Sequence, residues 1–462
     1  MGYIRAEAGV VLLENCENTG SVTAKNSGAV LADYPFAGGI LGRAELKGDA
    51  SAAQRQVSCK NSGAVESSKF AGGIAADKAC EVVRGLVKLG ADVRVAMTEN
   101  ATRFVGPVTF EALSGHPVAT SEWEHTPEGA MPHIALNLHA ALLLVVPATA
   151  NILAKAARGI ADDLVSALIL AHRSKVAFVP AMNRHMWANP ATQRNVADLK
   201  RDGAHFIGPA SGFQACGDVG EGRMTEPADI LDLLPGLFSE KPLSGRRVLM
   251  TVGPTYAPID DVRGIANRSS GRQGFALARA ARDLGADVTV VAGPVTVKRP
   301  VGVRIVPVTT AREMLGAVEG ELDRSPYDLF IGVAAVADWR VADRLEGKWK
   351  KDAGLPQLRL VENPDILAAV GHRAGGPVTI GFAAEASDLL ENAYAKLEKK
   401  GAAMIVANVA RDALASDTNR VLVVTDGEVD EIGPADKDEV ARKILYHAVD
   451  LLEEEYGPED DL

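Results

Sequence analysis

From Ile74 to Ala407 the chain alternates short apolar runs with stretches of helical periodicity, and this alternation limits the fold more than any other feature. Runs without polar alternation are strands buried on both faces, which a parallel sheet covered by helices provides. In the first series, Asp92–Met97, Ala140–Val146 and Val176–Val179 read as strands, with helices over Asp77–Leu89 and Ile152–Ala171. A second series places strands at Val248–Thr251, Asp287–Val291, Leu329–Val333, Val378–Gly381 and Met404–Ala407. Between the two, Phe238–Arg247 contains Lys241-Pro242-Leu243-Ser244-Gly245 and reads as a linker. A chain of 462 residues exceeds what one core usually serves. The expected organisation is a leader over 1–70, an α/β domain over 71–237, a linker over 238–247 and a second α/β domain over 248–462.

The leader departs from this pattern. Lys25-Asn26-Ser27-Gly28-Ala29-Val30 recurs as Lys60-Asn61-Ser62-Gly63-Ala64-Val65, and Phe36–Ile40 recurs as Phe70–Ile74. Two copies are too few for a solenoid, so the segment reads as a duplicated, partly disordered leader. Only Val10–Leu13 there has strong strand character. At the other end, Glu453–Leu462 reads as a frayed acidic tail.

Charge and cysteine spacing exclude several classes. A net charge of −11 argues against a duplex nucleic-acid binder, which needs a basic face. Cys16, Cys59, Cys80 and Cys216 are scattered without CxxC or zinc spacing, so neither a disulfide framework nor a structural metal is expected. No apolar run is long enough to span a bilayer, and the start lacks the pattern of a signal peptide. The cytoplasm is the expected compartment.

Four constellations in the first domain carry chemistry. Gly72 and Gly73 precede a helix, where free N–H groups suit an anion, although a sharp turn alone also calls for glycine. His133 stands ahead of a strand; its imidazole suits proton abstraction near neutrality, and surface packing is the plainer role. Pro147-Ala148-Thr149-Ala150-Asn151 closes a buried strand, where open α/β sheets take their ligands, and Ser166 lies one helix later. A helix N-cap at Thr149 or Asn151 fits equally. Pro180-Ala181-Met182-Asn183-Arg184-His185-Met186-Trp187 follows another buried strand, and Gln214–Met224 sets Cys216 in a glycine-rich loop. A thiol there is better placed for substrate than for packing.

Together these segments, from about Gly72 to Arg223, resemble the flavin-containing cysteine decarboxylases, of the phosphopantothenoylcysteine type. The resemblance implies a flavodoxin-like, doubly wound parallel sheet. FMN would lie at a trimer interface, with Gly72, Gly73, Thr149, Asn151 and Ser166 around it. It implies His133 as base, Asn183 on the substrate carboxylate and Cys216 as proton donor in the final reduction. The cycle would be redox-neutral: oxidation of the thiol end, loss of carbon dioxide, then reduction of the enethiol. One departure stands out. Glu66-Ser67-Ser68-Lys69-Phe70-Ala71 occupies the place of the apolar first strand, so either Val10–Leu13 supplies that strand across an insertion or the strand is degraded.

In the second domain Gly253-Pro254-Thr255 closes a strand, and Asn267-Arg268-Ser269-Ser270-Gly271 opens the helix Phe275–Leu284. That start suits a phosphate or an ordinary N-cap at Ser269 or Ser270. Asp338 falls at the end of a strand, and Lys348-Trp349-Lys350-Lys351 follows in a loop where lysines can neutralise a polyphosphate or simply face solvent. Asn363-Pro364-Asp365-Ile366, Gly381-Phe382-Ala383-Ala384-Glu385 and the i, i+4 pair Lys396 and Lys400 complete the set.

In this order, over roughly Arg247–Val424, the motifs resemble the phosphopantothenate–cysteine ligases, with a Rossmann-like α/β domain. The resemblance implies CTP as co-substrate and Mg2+ held mainly through its phosphates. Asn267 would contact the acyl-cytidylate and Lys348 its developing charge. Asp338, Asn363, Pro364, Asp365, Ile366, Phe382, Lys396 and Lys400 would hold CTP, with Lys348 beside them. The implied partners are 4′-phosphopantothenate, cysteine and CTP, in homo-oligomers of decarboxylase trimers and ligase dimers, up to a dodecamer. The expected function is coenzyme A biosynthesis by ligation followed by decarboxylation. Two alternatives stand beside it: an active ligase whose flavin module no longer decarboxylates, and a regulatory binding paralogue.

Overall fold

The computed structural model describes residues 71–123, 131–138, 140–214, 217–350, 352, 354, 357–385, 388–409 and 418–457, together with the backbone of five short strands between Gly2 and Lys60. Cys216, Lys351, the segment 61–70 and the first copies of both duplicated segments lie outside the described residues, as do 458–462. Two compact units divide the chain, Met1–Leu231 and Asp232–Leu462.

The leader strands form their own sheet. Val10–Leu13 lies in the strand Gly9–Leu13, which pairs antiparallel with Gly2–Ala6 on one side and Ser21–Ala24 on the other. Both edges of that strand are thus taken. It does not supply the missing first strand of the parallel sheet.

The parallel sheet of the first unit consists of β1 (Leu142–Ala148), β2 (Lys175–Pro180) and β3 (His205–Phe206) in that order. Helix α1 (Ala71–Lys88) packs against β1. The expected strand over Asp92–Met97 is reduced to one parallel bridge, Ala96 with Ala119, because a ladder needs a continuous neighbour and the described residues offer none.

The helix expected over Ile152–Ala171 is two helices, α3 (Ala150–Arg158) and α4 (Leu164–Ala171), and α2 (Pro132–Asn137) precedes them. Gly159 ends α3 in the left-handed conformation (φ 65°), where a Cβ would be strained. Asp163 then starts α4 with a capping box: its carboxylate accepts from Ser166 N at 2.8 Å, and Ser166 Oγ accepts from Asp163 N at 3.0 Å. Val145, Leu153, Phe178 and Val196 form the core between these helices, the sheet and α6 (Pro190–Arg201).

The second unit is an eight-stranded sheet. Its strands are β6 (Arg247–Val252), β7 (Asp287–Ala292), β8 (Arg304–Pro307), β9 (Leu329–Gly332), β10 (Val378–Glu385), β11 (Met404–Val409), β12 (Thr418–Val424) and β13 (Val429–Asp436). Their order is β8-β7-β6-β9-β10-β11-β12-β13, parallel as far as β11 and antiparallel for the last two. The antiparallel edge and β8 went unread in the sequence. Helices α7 (Arg272–Asp283) and α11 (Lys437–Tyr456) cover one face through Phe275, Leu277, Ile444 and Leu445; α8 (Ala311–Arg324) and α9 (Ile366–Gly371) cover the other through Met314, Val318 and Val370.

The segment 238–247 is no open linker. Leu243 is buried in this core and its N–H donates to Leu284 O at 3.0 Å. Helix α11 carries the chain to Tyr456, so the first four residues of the expected frayed tail, from Glu453, are helical.

Chain order reverses direction between β6 and β9. In an open α/β sheet that reversal opens a crevice at the carboxyl ends of the two strands, the usual ligand position.

Candidate active sites

In the first unit, the ends of β1 and β2 are tied together by Ala181 N donating to Ala148 O at 3.0 Å. Thr149 and Asn151 follow β1 and are exposed; Thr149 Oγ1 caps α3 by accepting from Ile152 N at 3.3 Å. Asn183 follows β2 and caps the short helix α5 (Arg184–Trp187), its Oδ1 accepting from His185 N at 2.8 Å.

The loop that carries Cys216 sits on a hairpin of β4 (Ala210–Phe213) and β5 (Val219–Arg223). Gln214 N donates to Asp218 O at 2.8 Å and closes that loop. The segment after β2 is clamped to the hairpin by Met182 N to Gly222 O (2.9 Å), Arg184 N to Gln214 Oε1 (3.0 Å) and Trp187 Nε1 to Glu221 Oε2 (3.2 Å). Asn183 Nδ2 reaches Asp218 Oδ2 at 3.2 Å. The two segments singled out in the sequence therefore meet in space, with the Asn183 amide bonded two residues along from Cys216.

His133 lies in the first turn of α2, which is anchored to α4 by Asn137 Nδ2 donating to Leu168 O at 3.0 Å. Its Nδ1 is buried without a hydrogen-bond partner. Within one chain, no hydrogen bond among the described residues joins His133 to Asn183. Ser166 does not present its hydroxyl to a ligand: it is 2% exposed, and the oxygen serves the α4 capping box. Gly72 and Gly73 fall inside the first turn of α1 rather than in a turn before it.

In the second unit, the crevice between β6 and β9 is built from both strand ends. Pro254 and Ala335 form a parallel bridge, Ala335 N donates to Gly253 O at 2.9 Å, and buried Thr255 accepts from Ala337 N through Oγ1 at 2.9 Å. Two asparagines lock the same loop. Asn267 Nδ2 donates to Val336 O at 2.9 Å, and Asn363 Nδ2 donates to Ala337 O at 2.7 Å while its N–H meets Asp338 O at 2.8 Å. Asp338 and Lys348 are exposed.

The remaining expected nucleotide contacts divide. Ile366 is 5% exposed, its side chain in the core with Val370, so it has no surface to offer a base or sugar. Asp365 caps α9 and pairs with Lys400. Burial raises the Asp365 carboxyl, but the Lys400 hydrogen bond, the Ala368 N–H and the Lys399 and Lys400 charges outweigh it and hold it below its ordinary range. Pro364 and Phe382 are half-buried beside them, and Lys396 Nζ approaches Phe382 O at 3.5 Å.

Ser269 and Ser270 do not cap α7. Gly271 is the N-cap, in the left-handed region at φ 77°, and Ser270 Oγ only accepts from the first helical N–H, that of Arg272, at 3.4 Å. Gly274 lets α7 lie close on β6, since a Cβ would sit 2.6 Å from Val252 Cγ1.

Two residues with a part in this site escaped the sequence reading. Thr255 has no sequence signal beyond closing Gly253-Pro254-Thr255. Asp260 had no motif at all; its only sequence signal is an Asp-x-x-Arg spacing to Arg263, which many turns share.

Two parallel sheets, each with polar loops gathered at its carboxyl edge, define a two-domain α/β enzyme. A flavoprotein family model matches residues 69–239, and a DNA/pantothenate metabolism flavoprotein C-terminal domain model matches 243–451. The chain is similar to the coenzyme A biosynthesis bifunctional protein CoaBC of Vibrio vulnificus, 46% identical over 342 residues, which are 73% of this chain and 85% of that one. It is 43% identical to the Escherichia coli protein of that name over 82% of this chain and 94% of the relative, and 41% identical to that of Bacillus subtilis over 82% and 95%.

Among solved structures, a C-terminal domain of CoaBC is matched over its full length and 46% of this chain, at 38% identity and a TM-score of 0.40. A PPC decarboxylase mutant complexed with pantothenoylaminoethenethiol is matched over 91% of its length and 35% of this chain, at 30% identity and a TM-score of 0.32. The chain belongs to the family of CoaBC bifunctional proteins. It is a flavoprotein and an enzyme of coenzyme A biosynthesis that combines decarboxylase and ligase activities. Neither alternative from the sequence, a silent flavin module or a regulatory paralogue, is favoured.

Proposed function

We propose that the second unit joins 4′-phosphopantothenate to cysteine at the cost of CTP, and that the first unit decarboxylates the product to 4′-phosphopantetheine. The observation that carries this reading is that motifs of each set follow neighbouring strands at the carboxyl edge of their sheet, with Asn183 bonded to Asp218 beyond β2 and Asn267 bonded to the loop before Asp338.

In ligation the phosphopantothenate carboxylate attacks the α-phosphate of CTP and expels pyrophosphate; the cysteine amine then displaces CMP from the acyl-cytidylate. Exposed Asn267 contacts that intermediate from the crevice floor, and Lys348 meets negative charge as it develops. Asp338, Pro364 and Phe382 line the nucleotide side; the Asp365–Lys400 pair and Lys396 flank it, and Asn363 holds the loop from beneath. The described residues hold no cluster of three or more His, Cys, Asp or Glu that could hold a metal. In this reading Mg2+ arrives with the phosphates of CTP.

The residues at the ends of β1 and β2 fit a flavin. Small, exposed side chains follow β1, so a flat ring has room, and the enclosed Nδ1 of His133 is a polar atom that folding left unpaired, a cost retained at sites of chemistry. Bound FMN supplies a two-electron acceptor there. Around it His133 takes the thiol proton, Asn183 holds the leaving carboxylate and Cys216 returns a proton. Thr149 and Asn151 stand at the cofactor. Helix α2 exposes Ile134 next to His133, Leu138 is exposed just after it, and α4 exposes Leu170, apolar surface suited to another copy of the chain. A trimer of first units and a dimer of second units follow from this reading, in the cytoplasm.

Purified protein incubated with phosphopantothenate, cysteine and CTP tests it. Pyrophosphate should appear without cysteine, CMP and carbon dioxide only with it, and the protein should be yellow. CMP without carbon dioxide would leave only the ligase.

A further inference from the structure

We propose that Asp260 is a positioning residue of the ligase, a buried latch that seats the lysine loop and so delivers Lys348 to the crevice. The proposal rests on the reading of Lys348 given above.

Asp260 stands at the tip of the hairpin formed by Tyr256–Pro258 and Gly264–Ala266, between the Gly253-Pro254-Thr255 turn and Asn267. Its side chain has no solvent exposure, so each oxygen lone pair must find a donor inside the protein. Oδ1 accepts from Val262 N at 2.8 Å and Arg263 N at 2.7 Å. Oδ2 accepts from Arg263 Nε at 3.0 Å and from Arg263 Nη2. These four are local and would close the tip by themselves.

The fifth donor is not local. Trp349 N donates to Oδ2 at 3.1 Å from 89 positions along the chain. Trp349 is the residue after Lys348.

Further bonds run between the same two segments. Leu345 N donates to Ile259 O at 2.9 Å, Asp261 N to Gly347 O at 3.3 Å and Arg263 Nη2 to Trp349 O at 2.8 Å; Arg344 pairs with Asp261 at 2.7 Å. The backbone is therefore held on both sides of Lys348, at Gly347 and Trp349, while the lysine side chain remains exposed. Its reach is set by where those anchors place its Cα. The Arg263 side chain, followed by the three N–H groups, overrides burial and holds the Asp260 carboxyl far below the usual carboxylate range, so the latch keeps its charge at any working pH.

A positioning role differs from a structural one in how it couples to Lys348. In the full-length protein, Asp260→Asn should lower kcat for CTP- and phosphopantothenate-dependent pyrophosphate release roughly ten- to hundredfold, with KM for CTP little moved. In a Lys348→Gln background the same change should cost nothing further. Trypsin should cut after Arg344, Lys348 and Lys350 faster in Asp260→Asn than in wild type. Should Asp260→Asn fail to fold, Trp349→Pro removes the distant N–H and leaves Asp260 with Arg263; it should lose turnover, and Trp349→Ala, which keeps the N–H, should retain most of it. Additive losses with Lys348→Gln, or wild-type turnover in Asp260→Asn, overturn the latch. Wild-type turnover in Lys348→Gln alone would instead remove the reading beneath it, a result distinct from a slow Lys348→Gln beside a normal Asp260→Asn.

Discussion

Asn363 and Lys348 come from neighbouring motifs yet do different work. Asn363 gives its amide and its N–H to the loop Ala337–Asp338, so it shapes the site from behind. Lys348 is exposed and is proposed to meet charge that exists only during reaction. An interaction made only then lowers the barrier without tightening substrate binding. Lys348→Gln should thus reduce ligase kcat by about a hundredfold while KM for CTP changes little. Initial-rate kinetics over a range of CTP decide this; a normal kcat with raised KM would make Lys348 a ground-state phosphate contact. Cys216 belongs to the other unit, on the loop closed by Gln214 and Asp218. Cys216→Ser should leave CMP release unchanged and stop phosphopantetheine formation, with the oxidised enethiol accumulating. Phosphopantetheine at the wild-type rate would refute its role as proton donor.

At the scale of elements, charged pairs fix how helices lie on the second sheet. Glu321 on α8 is 5% exposed and reaches Arg304 on β8 through two hydrogen bonds of 2.6 and 2.8 Å; it also accepts from Arg324 and from the Tyr327 hydroxyl at 3.0 Å. The Arg304 guanidinium, against the opposing effect of burial, lowers the Glu321 carboxyl from 4.5 to about 2. A folded-state value below the unfolded one means that the stabilisation is complete above pH 4.5 and is lost as pH falls through about 2. The arginines are largely solvated, which keeps the contribution on the order of 2 kcal/mol. Glu321→Gln should be less stable than wild type by that amount at neutral pH. The gap should close between pH 4.5 and about 2 in urea melts of the ligase unit; a gap independent of pH would mean lost packing rather than lost charge. The element boundaries obey the same local chemistry. Gly159 and the Asp163 capping box cut the helix that periodicity alone ran from Ile152 to Ala171. Apolar spacing carries on through such a break, and the cap residues alone mark it.

On the scale of the whole molecule, two units with separate cores each carry a site. The five described leader strands form their own antiparallel sheet, and Gly9–Leu13 has neighbours on both edges. Deleting residues 1–58 should therefore leave the FMN-to-protein ratio unchanged, read from the visible spectrum of purified full-length and truncated chains. A truncation that purifies colourless would show that the leader supports the flavin site after all.

The sequence by itself determined the class of fold, most of the parallel strands and the motifs that converge, because burial periodicity, turn glycines and helix caps are local properties. It placed Asn183, Thr149 and Asp338 after strands, where the structure has them. It could not set the lateral order of the strands, and so not the crevice between β6 and β9, since that depends on which distant strands pair. Nor could it tell exposed motif residues from those turned inward: Ser166 serves a helix cap, Ile366 packs in the core and Asn363 braces a loop. The same holds for Asp260, whose bond to Trp349 spans 89 positions and leaves no periodic trace. Only tertiary structure decides such things, because a buried polar group takes its partner from whatever segment the fold brings beside it.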